Sequence, residues 1–534
     1  MTKIHPKILH FLFTLLFSSV PIFVISQGLT NDQAILLNIK KQWNNQPPMY
    51  SWNSTTSPCL WPGVRCRDRD DTVTGLFLGS QNIAGEIPSS ICELKSLTTF
   101  DVNNNSIVGT FPTFFRKCTE LQTLNISQNY FVGFLPNDIN NKLPPNIQHL
   151  DISGNNFTGD IPNSLGQIKG LKTLHLDQNL FNGTYPYELG NLENLEELVL
   201  ADNPYSPMNL PEEFGKLKNL KLLWMSRCNL KGEIPKTFGN LSSLEHLDLV
   251  GNNLVGEIPS ELFLLKNLTY FYLYKNNLSG GLPTSIDSLN MVHLDVSMNY
   301  LMTGPIPEEI SKLSKLEVLA LFDNKFSGTL PTSIGLMPSL KRLKLFNNEF
   351  YGPLPQELGL HSRLEGFEVA NNGFTGKLPE HLCANGALLG VVAFNNQLNG
   401  TIPISLGKCK SLLIVKLYNN GMSGEVPEGL WTLESMSAMQ LSNNQFSGQL
   451  PKKLARNMAR VEIENNRFSG KIPETVGDWG GLVVFRASNN MISGTIPLEL
   501  TSPSQLNSLE LSGNQLTVTS THFRRTTDVP ALES

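Results

Sequence analysis

The sequence predicts an α/β solenoid. It would have about nineteen stacked coils, a parallel inner β-sheet, an outer side of 3-10 and irregular structure, and a helical, disulfide-stapled N-terminal cap. Three observations predict it. A leucine-rich unit, L-x-x-L-x-L-x-x-N-x-L-x-G-x-I-P, fills most of the chain, with one full copy at Leu244, Leu247, Leu249, Asn252, Leu254, Gly256, Ile258 and Pro259. Its Asn slot returns mostly every 24 residues, from Gln81 through Asn105 and Asn129 to Asn514, with Cys228 as one exception. Ahead of the array stand a helix signature and a short segment closed by Cys59 and Cys66.

Each slot of the unit has a physical reason. Leu247 and Leu249, two apart, leave a short strand on one face, while His246, Asp248 and Val250 leave it on the other. Asn252 ends the strand, where its amide can bond backbone groups left open by the turn. Gly256 gives the backbone freedom, and Pro259 limits the next residues to an extended or turn conformation. One unit cannot bury its leucines alone, but a stack of leucine-rich repeats can. Strands about 4.8 Å apart make the ladder roughly 90 Å long. A single core rarely exceeds about 250–300 residues, but a solenoid has no such ceiling.

In chain order, residues 1–26 read as a signal peptide: Lys3 and Lys7 precede an apolar run from Ile8 to Val24. Residues 27–72 form the cap. Within it, residues 29–45 read as a helix, with Thr30 and Gln33 at capping-box spacing and Ala34, Leu36, Leu37, Ile39 and Trp43 as its apolar face. A Cys59–Cys66 bridge packed with Trp52 and Trp61 would complete the cap, which a solenoid needs over its open end. Residues 73–516 are the repeats and 517–534 a non-repeat tail. No stretch after residue 26 has the apolar length of a membrane span. A formal net charge of −5 gives no sign of nucleic-acid binding.

Four more cysteines invite pairing. Cys92 and Cys118 follow Pro88 and Pro112 at the same offsets at which Cys383 and Cys409 follow Pro379 and Pro403. Adjacent coils lie near the separation a disulfide wants, so Cys92–Cys118 and Cys383–Cys409 are expected as staples; the alternative is small core residues. Cys228 is left as a thiol. Glycosylation sequons stand at Asn53, Asn104, Asn125, Asn156, Asn182, Asn240, Asn267, Asn277 and Asn399.

No catalytic constellation, metal-ligand spacing or cofactor motif is present. The pairs His246/Asp248 and His293/Asp295 have no activated Ser or Cys beside them. The chain has no H-R-D, no D-F-G and no Gly-rich phosphate loop, so no enzyme is expected in it. The inner sheet is the candidate site. Its solvent-facing slots lie two, four and six residues before each Asn, and in the middle coils they hold Trp224, Tyr270, Tyr272, Tyr274, Phe322, Phe346, Phe394 and Tyr418. Large rings on a wet face mark an interaction surface; the alternative is rings packing on one another along the ladder. Charged and imidazole residues are interleaved: His246, Asp248, His293, Asp295, Arg342, Lys344, Glu368 and Lys416, then Arg460 and Arg486. Eight strand steps, roughly 38 Å, separate Trp224 from Tyr418. About twelve residues of extended peptide would span that distance.

The segment Cys59-Leu60-Trp61-Pro62-Gly63-Val64-Arg65-Cys66, followed by L-x-G-x-I-P repeats, resembles the N-terminal cap of plant leucine-rich-repeat receptor-like kinases. The long array, with stretches such as GKLPEHLCANGALLGVVAFNNQLNGTIPISLGKCKSL, resembles their HAESA-like subgroup from about residue 28 to 516. The resemblance implies the peptide-hormone-binding ectodomain of such a receptor on the outer side of the plasma membrane. A secreted peptide would lie along the concave face, with a co-receptor kinase ectodomain recruited near the C-terminal repeats. Receptors of this family continue into a membrane helix and a cytoplasmic Ser/Thr kinase, so a truncated form is expected, with contact to the membrane only through the missing segment. In the HAESA-like receptors two arginines on one strand hold the peptide carboxylate; the matching positions here are Ile414 and Lys416. One cation remains, and Lys lacks the bidentate fork, so a different secreted peptide, including a defence-related one, fits equally. A second reading is a secreted inhibitor of a pathogen cell-wall enzyme, like the polygalacturonase-inhibiting proteins; a third is a scaffold without a ligand.

Overall fold

The structure, a computed structural model, describes residues 30–517 except residues 69, 502 and 504. The signal peptide read over residues 1–26 and the tail beyond residue 517 lie outside the described residues. No helix among the described residues is long and apolar enough to cross a membrane.

The cap begins with the helix Asn31–Gln42, where Thr30 Oγ1 accepts the Gln33 backbone N–H at 3.2 Å. The reciprocal half of the expected capping box is not made. The Gln33 side chain instead donates to Asn53 O (3.3 Å) and Thr56 O (2.9 Å), tying the helix to the loop after it. The apolar face is also turned from the expected one: Ile35, Leu36, Ile39 and Trp43 are buried, Leu37 is half-buried and Ala34 is exposed. The contact with the loop and first coil sets that rotation. Trp52 and Trp61 stack at 5.3 Å, and the Cys59–Cys66 disulfide closes the segment.

The inner sheet has twenty strands. The first, Val64–Cys66, runs antiparallel and belongs to the cap. The other nineteen, from Val73–Phe77 to Ser508–Glu510, are parallel, one for each predicted coil. Pairing is in strict register: His246, Leu247 and Asp248 face Tyr270, Phe271 and Tyr272, which face His293, Leu294 and Asp295. The leucine ladder between the sheet and the outer side is continuous and dry.

The Asn slot closes each coil. Asn252 Nδ2 donates to Met225 O and Leu249 O (both 2.9 Å) and to Val250 O (3.3 Å). Its Oδ1 accepts from Cys228 N (2.9 Å) and Leu230 N (3.1 Å) in the coil before. One buried amide thus satisfies backbone groups in two coils, so the slot tolerates few substitutes. Cys228 is the substitute: its thiol reaches Leu200 O and Ser226 O, each at 3.4 Å. Burial pushes this thiol far above its ordinary range.

Cys92–Cys118 and Cys383–Cys409 join adjacent coils as expected, and Cys228 is the buried free thiol. A second set of strands, not expected from the sequence, comes after the Asn slot. These strands run down one flank as a four-stranded and a fourteen-stranded sheet, separated at the coil of Asn179. Gly256, within the flank strand Asn253–Glu257 and paired with Leu278, holds φ +78°, a conformation an L side chain would strain.

Candidate functional site: the concave sheet

The parallel register brings residues 24 positions apart side by side, and this builds one cluster in the middle of the concave face. His246, Tyr270, Tyr272 and His293 form a ring of rings. His246 lies 5.3 Å from Tyr270 and 5.5 Å from Tyr272, and His293 lies 5.3 Å and 6.0 Å from the same two. Tyr272 OH and His293 Nδ1 share a hydrogen bond of 2.7 Å. His246 Nε2 is buried without a hydrogen-bond partner. Burial holds both imidazoles below their usual pKa, so both are neutral at pH 7. Burial, with Tyr270 and Asp248 nearby, pushes the Tyr272 phenol up to about 12. The cluster is therefore a neutral, ring-lined surface with polar tips, and Tyr270 remains 38% exposed.

The two aspartates of this region are already committed. Asp248 Oδ1 accepts from Ser226 Oγ (2.5 Å) and Val250 N (3.0 Å), and Trp224 Nε1 donates to the same Ser226 Oγ at 2.8 Å. Asp295 accepts from Ser297 N (3.0 Å) and Oγ (2.5 Å), and burial raises its pKa. These carboxylates hold Trp224 and the strand ends in place. Tyr274 is half-buried beside them.

Toward the C-terminal coils the rings stack in pairs along the ladder. Phe322 lies 4.4 Å from Phe346, and Phe394 lies 4.3 Å from Tyr418. All four are half-buried, and the buried Ala370 leaves a gap between the pairs. Ring-on-ring packing therefore does occur, but it leaves one face of each pair toward solvent. The cations nearby are mostly paired: Arg342 with Glu365 (3.7 Å), Lys344 with Glu368 (3.8 Å), Arg460 with Glu462 (2.5 Å) and Arg486 with Glu510 (3.0 Å). Among the described residues Lys416 forms no ion pair, so it is the cation open to an anionic group. Beside it, Ile414 leans over Gly390, where an added Cβ would meet its Cγ1 at 3.0 Å. Asn125, a sequon residue, is half-buried on a concave strand, with its Oδ1 taken by Ser127 N (3.0 Å) and Oγ (2.7 Å).

The rim carries a feature that the slot pattern alone does not announce. Asn347 Nδ2 donates to Asp323 Oδ1, and the same bond repeats coil by coil through Asn371, Asn395, Asn419, Asn443, Asn465 and Asn489 at 2.5–2.8 Å. All eight residues have left-handed backbone, with φ between 53° and 57°. The result is an exposed, polarised amide rail beside the ring pairs, ending on a carboxylate. Its signal is the N-N doublet before each flank strand, at Asn347-Asn348, Asn371-Asn372 and onward.

Family models match the cap and many of the coils. A "Leucine rich repeat N-terminal domain" matches residues 29–67, and "Leucine rich repeat" models match residues 145–204, 96–118, 120–142, 219–241, 243–265 and 267–289. Among solved structures, the Arabidopsis receptor kinase HAESA, in complex with the peptide hormone IDA and the co-receptor SERK1, is 40% identical. The alignment covers 91% of this chain and 82% of that one, with a TM-score of 0.87. The chain belongs to the leucine-rich-repeat receptor ectodomains of plants, in the HAESA-like group. A plant peptide hormone receptor, RGFR1 in complex with RGF2, shares the ectodomain's fold at 27% identity and a TM-score of 0.67, over 86% of this chain and 84% of that one. "Receptor-like protein 52" of Arabidopsis thaliana is 50% identical over 217 residues, 40% of this ectodomain and 26% of that protein's own length.

Proposed function

We propose that this ectodomain binds a secreted peptide in extended form along the concave face, outside the cell. The observation that carries the reading is the series of rings on the wet face, from Trp224 through the His246–Tyr270–Tyr272–His293 cluster to the pairs Phe322–Phe346 and Phe394–Tyr418. Such rings supply most of the affinity of an interface and lose little entropy on binding. The neutral cluster suits an apolar or cyclic side chain, and the gap over Ala370 suits one side chain between two ring pairs. Lys416 would hold a carboxylate by a single charge-assisted bond. The peptide complexes of HAESA and RGFR1 support the choice of ligand class, and the complex with the co-receptor SERK1 supports a co-receptor as partner.

The test is calorimetric titration of the purified chain with secreted-type peptides of about twelve residues, the length the ring run spans. Binding of at least one at micromolar affinity or better supports the reading. If none binds and the chain instead inhibits a fungal polygalacturonase, the reading fails in favour of a secreted inhibitor.

A further inference from the structure

The flank opposite the site in function, though not in sequence, carries an apolar patch that peptide binding on the concave face does not use. It is built on the flank strands Ser106–Gly109, Tyr130–Phe134 and Asn156–Thr158. Beneath it Phe131 and Phe157 are buried and stack at 6.0 Å. Their neighbours along the strand necessarily point outward: Tyr130, Val132 and Phe134 are 56%, 46% and 73% exposed. Val108, also exposed, sits in register with Tyr130. A solvated cluster of this kind ordinarily has something to cover it.

The register identifies what stands in its middle. Val132 is paired with Asn156 and Phe134 with Thr158, the first and third residues of the sequon Asn156-Phe157-Thr158. On the other side Thr158 bridges to Leu180, which is 48% exposed. The ring of Phe134 lies over Gly159, where an added Cβ would meet it at 2.4 Å. One coil further, the exposed Asn182, in the sequon Asn182-Gly183-Thr184, accepts the Gly159 N–H through Oδ1 at 3.0 Å, leaving Nδ2 for modification. Two acceptor asparagines therefore meet at one apolar surface. The sequon at Asn399 differs: its strand pairs with Gly421, and the Lys377 side chain lies 3.0 Å from where a Cβ on Gly400 would stand.

We propose that Asn156 carries an N-linked glycan whose first N-acetylglucosamine lies on Val132 and Phe134, with a glycan on Asn182 closing the same patch, so that carbohydrate covers this flank. The C–H face of a pyranose is apolar and packs on an aromatic ring, while its hydroxyls stay in water, which suits a surface of rings around two polar positions.

The inference rests on the extracellular reading above, and one experiment separates the two. The full chain is secreted from plant or insect cells, its glycopeptides are mapped, and native protein is timed under a peptide-N-glycosidase. Asn156 and Asn182 are expected to be occupied. Release from Asn156 is expected to be roughly tenfold slower than from Asn399 (about 1.4 kcal/mol), and the exposed-site variant Phe134→Ser should abolish that difference without altering release at Asn399. Occupancy at Asn399 with Asn156 bare overturns this inference alone, as does equal release from wild type and Phe134→Ser. A chain bare at all nine sequons overturns it together with the extracellular reading. A bare Asn156 with self-association through the flank, lost in Phe134→Ser, assigns the patch to a second copy and overturns it too.

Discussion

Asn252→Ala removes one side chain that serves two coils, and its cost can be worked bond by bond. Asn252 donates to Met225 O and Leu249 O at 2.9 Å and accepts from Cys228 N and Leu230 N at 2.9 and 3.1 Å. The longer contact to Val250 O, at 3.3 Å, adds little. Each of the four good bonds contributes about 1 kcal/mol net, so the substitution should cost about 4 kcal/mol, because the groups left behind are buried. In a solenoid the loss stays with the affected coil and its neighbours, so a single global midpoint reports it poorly. Native-state hydrogen exchange is the appropriate assay. Peptides carrying the Cys228 and Leu230 amides should exchange two to three orders of magnitude faster in the variant. Peptides in the coils around Asn105 and Asn466 should be unchanged. Asn252→Cys should fall between wild type and Ala, since the Cys228 thiol already reaches two carbonyls in the equivalent slot. A change below about fivefold at Cys228 and Leu230 would refute the claim that the slot amide holds the coils together.

Two further predictions concern the cysteines and pH. Without reduction, alkylation followed by mass mapping should leave Cys59, Cys66, Cys92, Cys118, Cys383 and Cys409 unmodified, and Cys228 should react only on unfolding. Cys383→Ser with Cys409→Ser opens a link of sequence separation 26 and should cost about 3.5 kcal/mol of local stability, read as faster exchange in those two coils. Burial raises the folded-state pKa of Asp177 to about 6 from an ordinary 3.8, so the folded chain binds the proton more tightly than the unfolded one. Its contribution to stability is therefore present below about pH 4 and is lost as pH rises toward 6. Asp177→Asn should flatten the fall in local stability of its coil between pH 4 and pH 6, measured by native-state hydrogen exchange corrected for the intrinsic pH dependence of exchange, and a variant with the wild-type slope contradicts the assignment.

The repeat sentence made the fold legible because every slot carries a distinct physical demand. Nineteen coils, the two disulfides between coils and the unpaired Cys228 could be placed from spacing, and the Cys59–Cys66 bridge from the need for a cap. What spacing could not give was the direction in which polar side chains settle. Asp248 and Asp295 sit in solvent-facing slots, yet one carboxylate oxygen of each accepts from Ser226 or Ser297. Gln33 has the spacing of a cap residue and instead reaches across to Thr56, a contact with no local signature. The amide rail is visible as N-N doublets, but only stacking shows that neighbouring doublets touch. The flank strands have a weak signal because their alternation is brief and their backbone bonds run to the next coil, not within one.

The central claim is that the rings of the concave sheet hold an extended peptide, and the most direct measurement is the affinity of one binding peptide for ring-deleted variants. Tyr272→Ala and Phe346→Ala should each weaken binding by about 2 kcal/mol or more, roughly thirtyfold, while Phe134→Ser on the flank leaves it unchanged. If both concave variants bind every such peptide as tightly as the wild type, the concave rings are not the binding surface.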